Sequence, residues 1–275
     1  APLIGALIAG IDRKVTARMQ SRIGPPLLQP IYDVMKLFRK DPIALNKMQI
    51  LYAYLHLAFM IVTVMLLLLG QDMLLILFTH AFSTISLVLG GMSVRSPYSR
   101  IGAQRKIMQM VAYEPILVLM VVGIYLATPA PHSWMAGDVF RAAMDGTMSP
   151  LLLSLPLVFL AFLMAIGIKL NKSPFDVSSS HHAHQELVKG ITLEYSGPYL
   201  GIIVLAHFYE GFLLLAIVAA FWLPHPIIGV AIASTAFTAL IVMDNVFARL
   251  TCHWMLKYMW TVGLGLAMAN IIWLH

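Results

Sequence analysis

Cysteine and charge are what this chain has least of. Its 275 residues include one cysteine, Cys252, so no disulfide forms within the chain. The same count excludes a cysteine-ligated iron–sulfur cluster, which takes about four thiolates. Charged residues make up 11% of the sequence, against roughly 25% in an ordinary soluble domain. With 60% hydrophobic residues, too little polar surface remains to cover one water-soluble core. A soluble globular enzyme and a disordered chain are both excluded. No Gly-x-Gly-x-x-Gly or Walker sequence occurs, so nothing points to a nucleotide. The formal net charge of +6 then marks sidedness in a bilayer rather than a nucleic-acid footprint. What remains is an all-α polytopic membrane protein, read as a single transmembrane domain over residues 1–275.

Seven stretches supply the ~20 apolar residues that a helix needs to cross the hydrocarbon core. They are Met48–Leu69, Met73–Met92, Met108–Ala127, Pro150–Leu170, Pro198–Trp222, Pro226–Val246 and Trp254–Trp273. A shorter run, Ala1–Ile11, reads as the end of a truncated first span. On these spans every lysine and arginine except Arg141 falls on one side. The positive-inside rule makes that side cytoplasmic. Segments 12–47, 93–107 and 171–197 form the expected docking face. In the first of them, Leu27, Leu28, Ile31, Val34, Met35, Leu37 and Phe38 interleave with Asp33, Lys36, Arg39 and Lys40. That spacing, after the breaker Gly24-Pro25-Pro26, predicts a short amphipathic helix on the membrane surface. The outer segment Thr128–Ser149, with Pro129, Pro131 and Gly137, reads as plain connection. No pair of broken spans in matching positions points to an independent secondary transporter.

Ionisable groups at membrane depth are costly and usually functional or paired. Glu114 lies in the third complete span, and Glu210 lies mid-span with His207 one turn earlier on the same face. Asp244 lies toward the cytoplasmic end of its span, and Asp12 ends the first apolar run beside Arg13 and Lys14. These acids read as a hydrated chain of proton carriers, against a plainer reading in which each is locked to a nearby cation. For His56 and His80 the plainer reading, hydrogen-bonded core histidines, is preferred, and Tyr113 reads as packing. The run Ser178–Glu186 carries His181, His182, His184 and Glu186. No second ligand pair with zinc spacing accompanies it, so a polar docking surface is preferred to a metal site.

Four stretches resemble the complex I subunit of the NuoH type, also called subunit 1. The first is Gly10-Ile11-Asp12-Arg13, leading to Arg22-Ile23-Gly24-Pro25, Gln29 and Asp33-Val34-Met35-Lys36-Leu37. The second is Tyr98-Ser99, Gly102-Ala103 and Arg105, running on to Tyr113-Glu114. The third is Pro174-Phe175-Asp176, and the fourth is Glu186-Leu187-Val188, Gly190 and Glu194-Tyr195-Ser196-Gly197. Where that family carries an acidic run between the third and fourth, this chain has Val177–Gln185, rich in serine and histidine. In this it is similar to the membrane subunits of energy-converting [NiFe] hydrogenases of the Ech and CO-induced type. The resemblance implies an ion path through Asp12, Glu114 and Glu194, with His207 at the family's glutamate and Glu210 one turn on. It also implies docking through Gly24–Lys40 and Ser173–Gly197. The implied partners are hydrogenase large and small subunits, a ferredoxin-like iron–sulfur subunit and an antiporter-like membrane subunit. Those partners would hold the [NiFe] centre and the iron–sulfur clusters, with no cofactor in this chain. The implied location is a prokaryotic cytoplasmic membrane, and the ion moved is a proton or sodium. A quinone-site subunit of a complex I-type enzyme and a passive membrane anchor are the alternatives.

Overall fold

The computed structural model describes residues 1–43, 46–130, 132–178 and 189–274. Among them all regular structure is helical, apart from one bridge between Asp72 and Met135. The helices are α1 Pro2–Met19, α2 Gln29–Phe38, α3 Lys47–Leu68, α4 Met73–Met92, α5 Pro97–Ala127 and α6 Ala136–Met144. They continue with α7 Leu151–Ser154, α8 Pro156–Lys169, α9 Gly197–Ala220, α10 Pro226–Val246, α11 Cys252–Tyr258 and α12 Leu264–Leu274. A π-helical turn, Met259–Gly263, joins the last two into one rod. Among the described residues, six helices are long and apolar enough to cross a membrane.

The helix starts follow local chemistry. Proline stands in the first turn of α1, α2, α5, α8, α9 and α10, where its missing N–H has no helical partner to lose. Asn46 and Asp72 cap α3 and α4 by accepting from the amides of Met48 and Leu74 at 3.2 and 2.7 Å. The amphipathic α2 lies where it was expected, with Val34 buried and Tyr32 and Met35 exposed.

In four places the structure adds to or corrects what hydropathy shows. The run Ala1–Ile11 does not stop at its polar end, because α1 continues to Met19. Segment 93–107 is mostly helix, since Pro97 starts α5 eleven residues before Met108. Segment Thr128–Ser149 contains α6, whose entry is pinned by Met73 N donating to Trp134 O and Ala136 N to Gln71 O. The stretch Pro150–Leu170 is not one continuous helix, for the chain breaks at Leu155 before Pro156 and α8 is only 14 residues long. A proline lacks the N–H for the helical bond and crowds the carbonyl four residues back, and at Pro156 the helix breaks and a new one starts.

That break, and a second one, are mended from the last rod. Asn270 is fully buried. Its Oδ1 accepts from Leu157 N at 2.7 Å and Val158 N at 3.1 Å, and its Nδ2 donates to Ser154 O at 3.1 Å. In α5, Pro115 has no N–H to offer the carbonyl of Val111 four residues back. Trp260 Nε1 donates to that carbonyl at 3.2 Å. Backbone groups opened inside a membrane need such partners.

The bundle has α9 and α5 at its centre. Helix α9 packs on α1, α3 and α10, while α5 packs on α4, α8 and the last rod. Small residues permit the closest approaches: a Cβ on Gly5 of α1 would collide with the backbone of Phe208 in α9.

Candidate functional site

Five helices bring titratable side chains to one buried place. Glu210 projects from the middle of α9 among apolar residues that favour no carboxylate. Its Oε1 lies 3.5 Å from Lys169 Nζ of α8 and 3.5 Å from His80 Nε2 of α4. Lys169, 2% exposed, also lies 3.2 Å from both ring nitrogens of His80 and donates to Thr84 Oγ1 at 3.3 Å. Its ammonium stands 4.3 Å from the ring centroid of Tyr113 on α5, a cation–π contact in a dry setting. From the other oxygen, Oε2 of Glu210, His207 Nδ1 is 3.9 Å away. The His207 ring meets that of His56 edge-on at 5.9 Å. His56 is in turn held by Ser83, whose Oγ is 2.8 Å from Nδ1 and donates to the His56 carbonyl. A chain of exchangeable groups thus runs across α8, α4, α9 and α3. Beside it the space is apolar, a cleft lined by Leu77, Leu117, Met120, Leu214 and Phe221, with His80 also in its wall.

Glu114 is next to Tyr113 on α5 and partly buried, and its Oε1 has no hydrogen-bond partner among the described residues. The Lys169 charge acts on it as well. Lys106, buried like Lys169, lies two turns before Tyr113 on the same helix.

The other expected acids gather elsewhere. Asp12 of α1 and Asp244 of α10 share Lys172, just beyond α8. Its Nζ is 2.7 Å from both Asp12 oxygens and 3.0 Å from Asp244 Oδ2. Asp244 Oδ1 also accepts from Ser173 N at 2.7 Å. Burial works to lower the Lys172 ammonium, but Asp12 and Asp244 outweigh it and hold the group above its usual value. Glu194 stands apart from both clusters, half-buried, lining a polar pocket with Asn46, Ser93, Arg95, Ser96 and Tyr98.

The expected docking residues divide. Arg22 and Lys36 are exposed, and Arg22 donates to Gln20 Oε1. Gly24 holds the left-handed turn, φ +73°, that reverses the chain between α1 and α2, and half-buried Pro25 follows it. Gln29 Nε2 donates to Asp33 Oδ1 at 3.0 Å, and Arg13 Nη1 donates to Asp33 Oδ2 at 2.5 Å. Burial works to raise the Asp33 carboxyl, but these bonds hold it below its usual value. Pro174 is half-buried, whereas Phe175 and Asp176, expected to take part in docking, are buried. That loop is fastened from within: Gln109 Nε2 donates to Phe175 O at 2.8 Å, and Arg249 Nη2 to Val177 O at 2.9 Å. His181, His182, His184 and Glu186 lie outside the described residues.

Sequence reasoning missed Lys169. Its place at the end of an apolar run read as cytoplasmic sidedness, yet its long stem carries the ammonium back to Glu210. The signal was a lysine within one turn of His80 and Glu210 in depth, which only a helix-packing order reveals.

Known proteins match this chain throughout. The family model described as NADH dehydrogenase matches residues 1–275. The chain is 30% identical over 293 residues to the NuoH-type subunit of the NADH-quinone oxidoreductase of Geobacillus kaustophilus (strain HTA426), covering 95% of this chain and 85% of that protein. It is 30% identical over 212 residues to Hydrogenase-4 component C of Escherichia coli (strain K12), covering 73% of this chain and 65% of that one. In fold it is similar to a chain in the structure of the membrane-bound sulfane sulfur reductase, an archaeal respiratory membrane complex. There the TM-score is 0.84 at 24% identity, over 99% of this chain and 95% of that one. Matched from its first residue to its last, and similar to subunits of both kinds, this polytopic membrane protein belongs to the NADH dehydrogenase family.

Proposed function

We propose that the chain is the membrane subunit of an energy-converting [NiFe] hydrogenase, a complex that oxidises ferredoxin, evolves hydrogen and moves protons or sodium ions. Its relatives are membrane subunits of complex I-like or hydrogenase-like assemblies. The observation that carries an ion path is the buried cluster of Glu210, Lys169 and His80. Ions kept at this depth are costly, and an apolar bundle packs well without them. Asp12, Asp244 and Glu194 lie nearer the cytoplasmic ends, as entrances would. Segments 12–47, 93–107 and 171–197 form the face on which the hydrogenase large and small subunits and an iron–sulfur subunit dock. An antiporter-like subunit continues the path within the membrane. The [NiFe] centre and iron–sulfur clusters reside in those partners, and this chain contributes no redox group. The Ser/His-rich loop and the similarity to Hydrogenase-4 component C favour this branch.

The second reading, a quinone-site subunit of a complex I-type enzyme, is favoured by the match to the NADH-quinone oxidoreductase subunit over 95% of this chain. The purified complex decides between them: hydrogen evolution from reduced ferredoxin supports the first, and ferredoxin- or NADH-driven quinone reduction the second. The ion path is tested with Glu114→Gln and Glu210→Gln. Both leave assembly, and hydrogen evolution with an artificial donor, near normal. Donor-driven ion uptake by inverted vesicles falls at least about tenfold in the double variant, a loss typical of removed proton-transfer groups. A wild-type gradient in that variant returns the chain to the status of a passive anchor.

A further inference from the structure

The buried cluster contains its own cation, and the two lysine sites differ in a telling way. Lys172 is closed down on its carboxylates at 2.7–3.0 Å, the range of short charge-assisted bonds. Lys169 is spread thinly: 3.5 Å from Glu210, 3.2 Å from His80, 3.3 Å from Thr84 and 4.3 Å from the Tyr113 ring. No single partner fixes it. A second carboxylate, Glu114, lies beside Tyr113 with a buried oxygen that lacks a hydrogen bond among the described residues. One flexible four-carbon stem thus stands between Glu210 of α9, 3.5 Å away, and the ring of Tyr113 on α5, 4.3 Å away, the residue next to Glu114.

We propose that Lys169 is a mobile internal cation passing between Glu210 and Glu114, and that the ion handled at this cluster is a proton rather than sodium. This deepens the ion-path reading above and rests on it. With Lys169 on Glu210, that carboxylate is neutralised and carries no proton. With Lys169 on Glu114, Glu210 is a buried unpaired carboxylate and accepts one proton, becoming a neutral acid; the return of the ammonium expels it. Lys169 remains protonated throughout; Glu114, a neutral acid while unpaired, gives up its proton as the ammonium arrives and takes one as it leaves, so each acid binds and releases one proton per cycle. His207 of α9 and His56 of α3 stand on the side of the second Glu210 oxygen, where the proton is handed over. His80 of α4, Lys106 and Tyr113 of α5 complete the charged and titratable surroundings. Hard cations are held by shells of oxygen ligands. Around Glu210 the neighbours are nitrogens, Lys169 Nζ, His80 Nε2 and His207 Nδ1, and one is already a full positive charge. With Lys169 on Glu210 sodium finds no vacant charge there, and with Lys169 away its neighbours among these groups are imidazole nitrogens rather than a shell of oxygens.

Infrared difference spectroscopy of the purified complex in liposomes tests this. In wild type, turnover raises a protonated-carboxyl band that Glu210→Gln removes. In Glu114→Gln, which is isosteric, that band fails to appear although Glu210 is intact, because Lys169 has nowhere else to go. In Lys169→Met Glu210 stays protonated at neutral pH, so turnover raises no band, a base-induced difference spectrum shows the same loss of the carboxyl band in sodium-free and sodium-containing buffer, and proton uptake is lost. Persistence of the turnover band in Glu114→Gln overturns the proposal, as does displacement of the Lys169→Met band by sodium. If Lys169→Met does not assemble, the Glu114→Gln spectrum decides alone. Should Glu114→Gln and Glu210→Gln both pump normally, the ion-path reading itself fails. Should they stop pumping while Lys169→Met pumps, only the present inference does.

Discussion

At the scale of single residues, the two lysine sites predict opposite responses. Lys172 clamps α1 to α10 through Asp12 and Asp244. Lys172→Met leaves two carboxylates facing each other out of bulk water and is expected to cost about 3 kcal/mol, read as a lower unfolding temperature in detergent. Lys172→Met with Asp244→Asn recovers part of it. The pH dependence has a definite sign. Because the Lys172 value is raised in the fold, its contribution is complete below the ordinary lysine value of 10.5 and is lost only as pH rises beyond that. Asp33 is the reverse. Its lowered carboxyl contributes above the ordinary value of 3.8 and releases α2 from Arg13 only as pH falls below it. Limited proteolysis near Gly24 should therefore stay constant from neutral pH down to roughly pH 4 and rise below. Glu210 was legible in the sequence because a carboxylate inside an apolar span has few excuses. Lys169 was not, because basic residues at span ends are the commonest mark of sidedness.

At the scale of elements, α3, α4, α9 and α10 fall within a residue or two of where hydropathy places them, since nothing but length and apolarity is needed. The errors fall where a proline meets a partner helix. Pro156 breaks its span and Pro115 opens its own, and hydropathy does not register either event. The repairs by Asn270 and Trp260 come from more than a hundred residues away in sequence. Asn270→Leu keeps the volume and strands two amides and a carbonyl. Each such group costs about 1–3 kcal/mol when left unpaired, so the variant should lose several degrees of thermal stability while Asn270→Gln loses less. An unchanged melting temperature in Asn270→Leu would show that water or lipid headgroups satisfy the break instead.

For the whole molecule, the charge asymmetry predicts which face is which. In a Cys252→Ser background, a cysteine at exposed Lys40 should be labelled only from the cytoplasm, and one at exposed Thr147 only from outside. Labelling of both from one side would sink the topology. The proposed docking face was only half legible. Helix α2 announced itself by its pattern, whereas buried Phe175 and Asp176 look from sequence like any polar loop. What tied that loop down, Gln109 and Arg249, lies distant in the chain.

The last rod also dictates an order of events during synthesis. A ribosome delivers α5, α7 and α8 to the membrane well before Trp260 and Asn270 exist. In that interval the Val111 carbonyl and the Leu157 and Val158 amides have no protein partner from the finished fold. A message cut short upstream of Trp260 would encode every acid of the proposed ion path and both Lys106 and Lys169, yet yield helices with open backbones in hydrocarbon. Such a product is a substrate for membrane quality control, and its rapid turnover would identify the final helix as the step that commits the nascent chain to its native state.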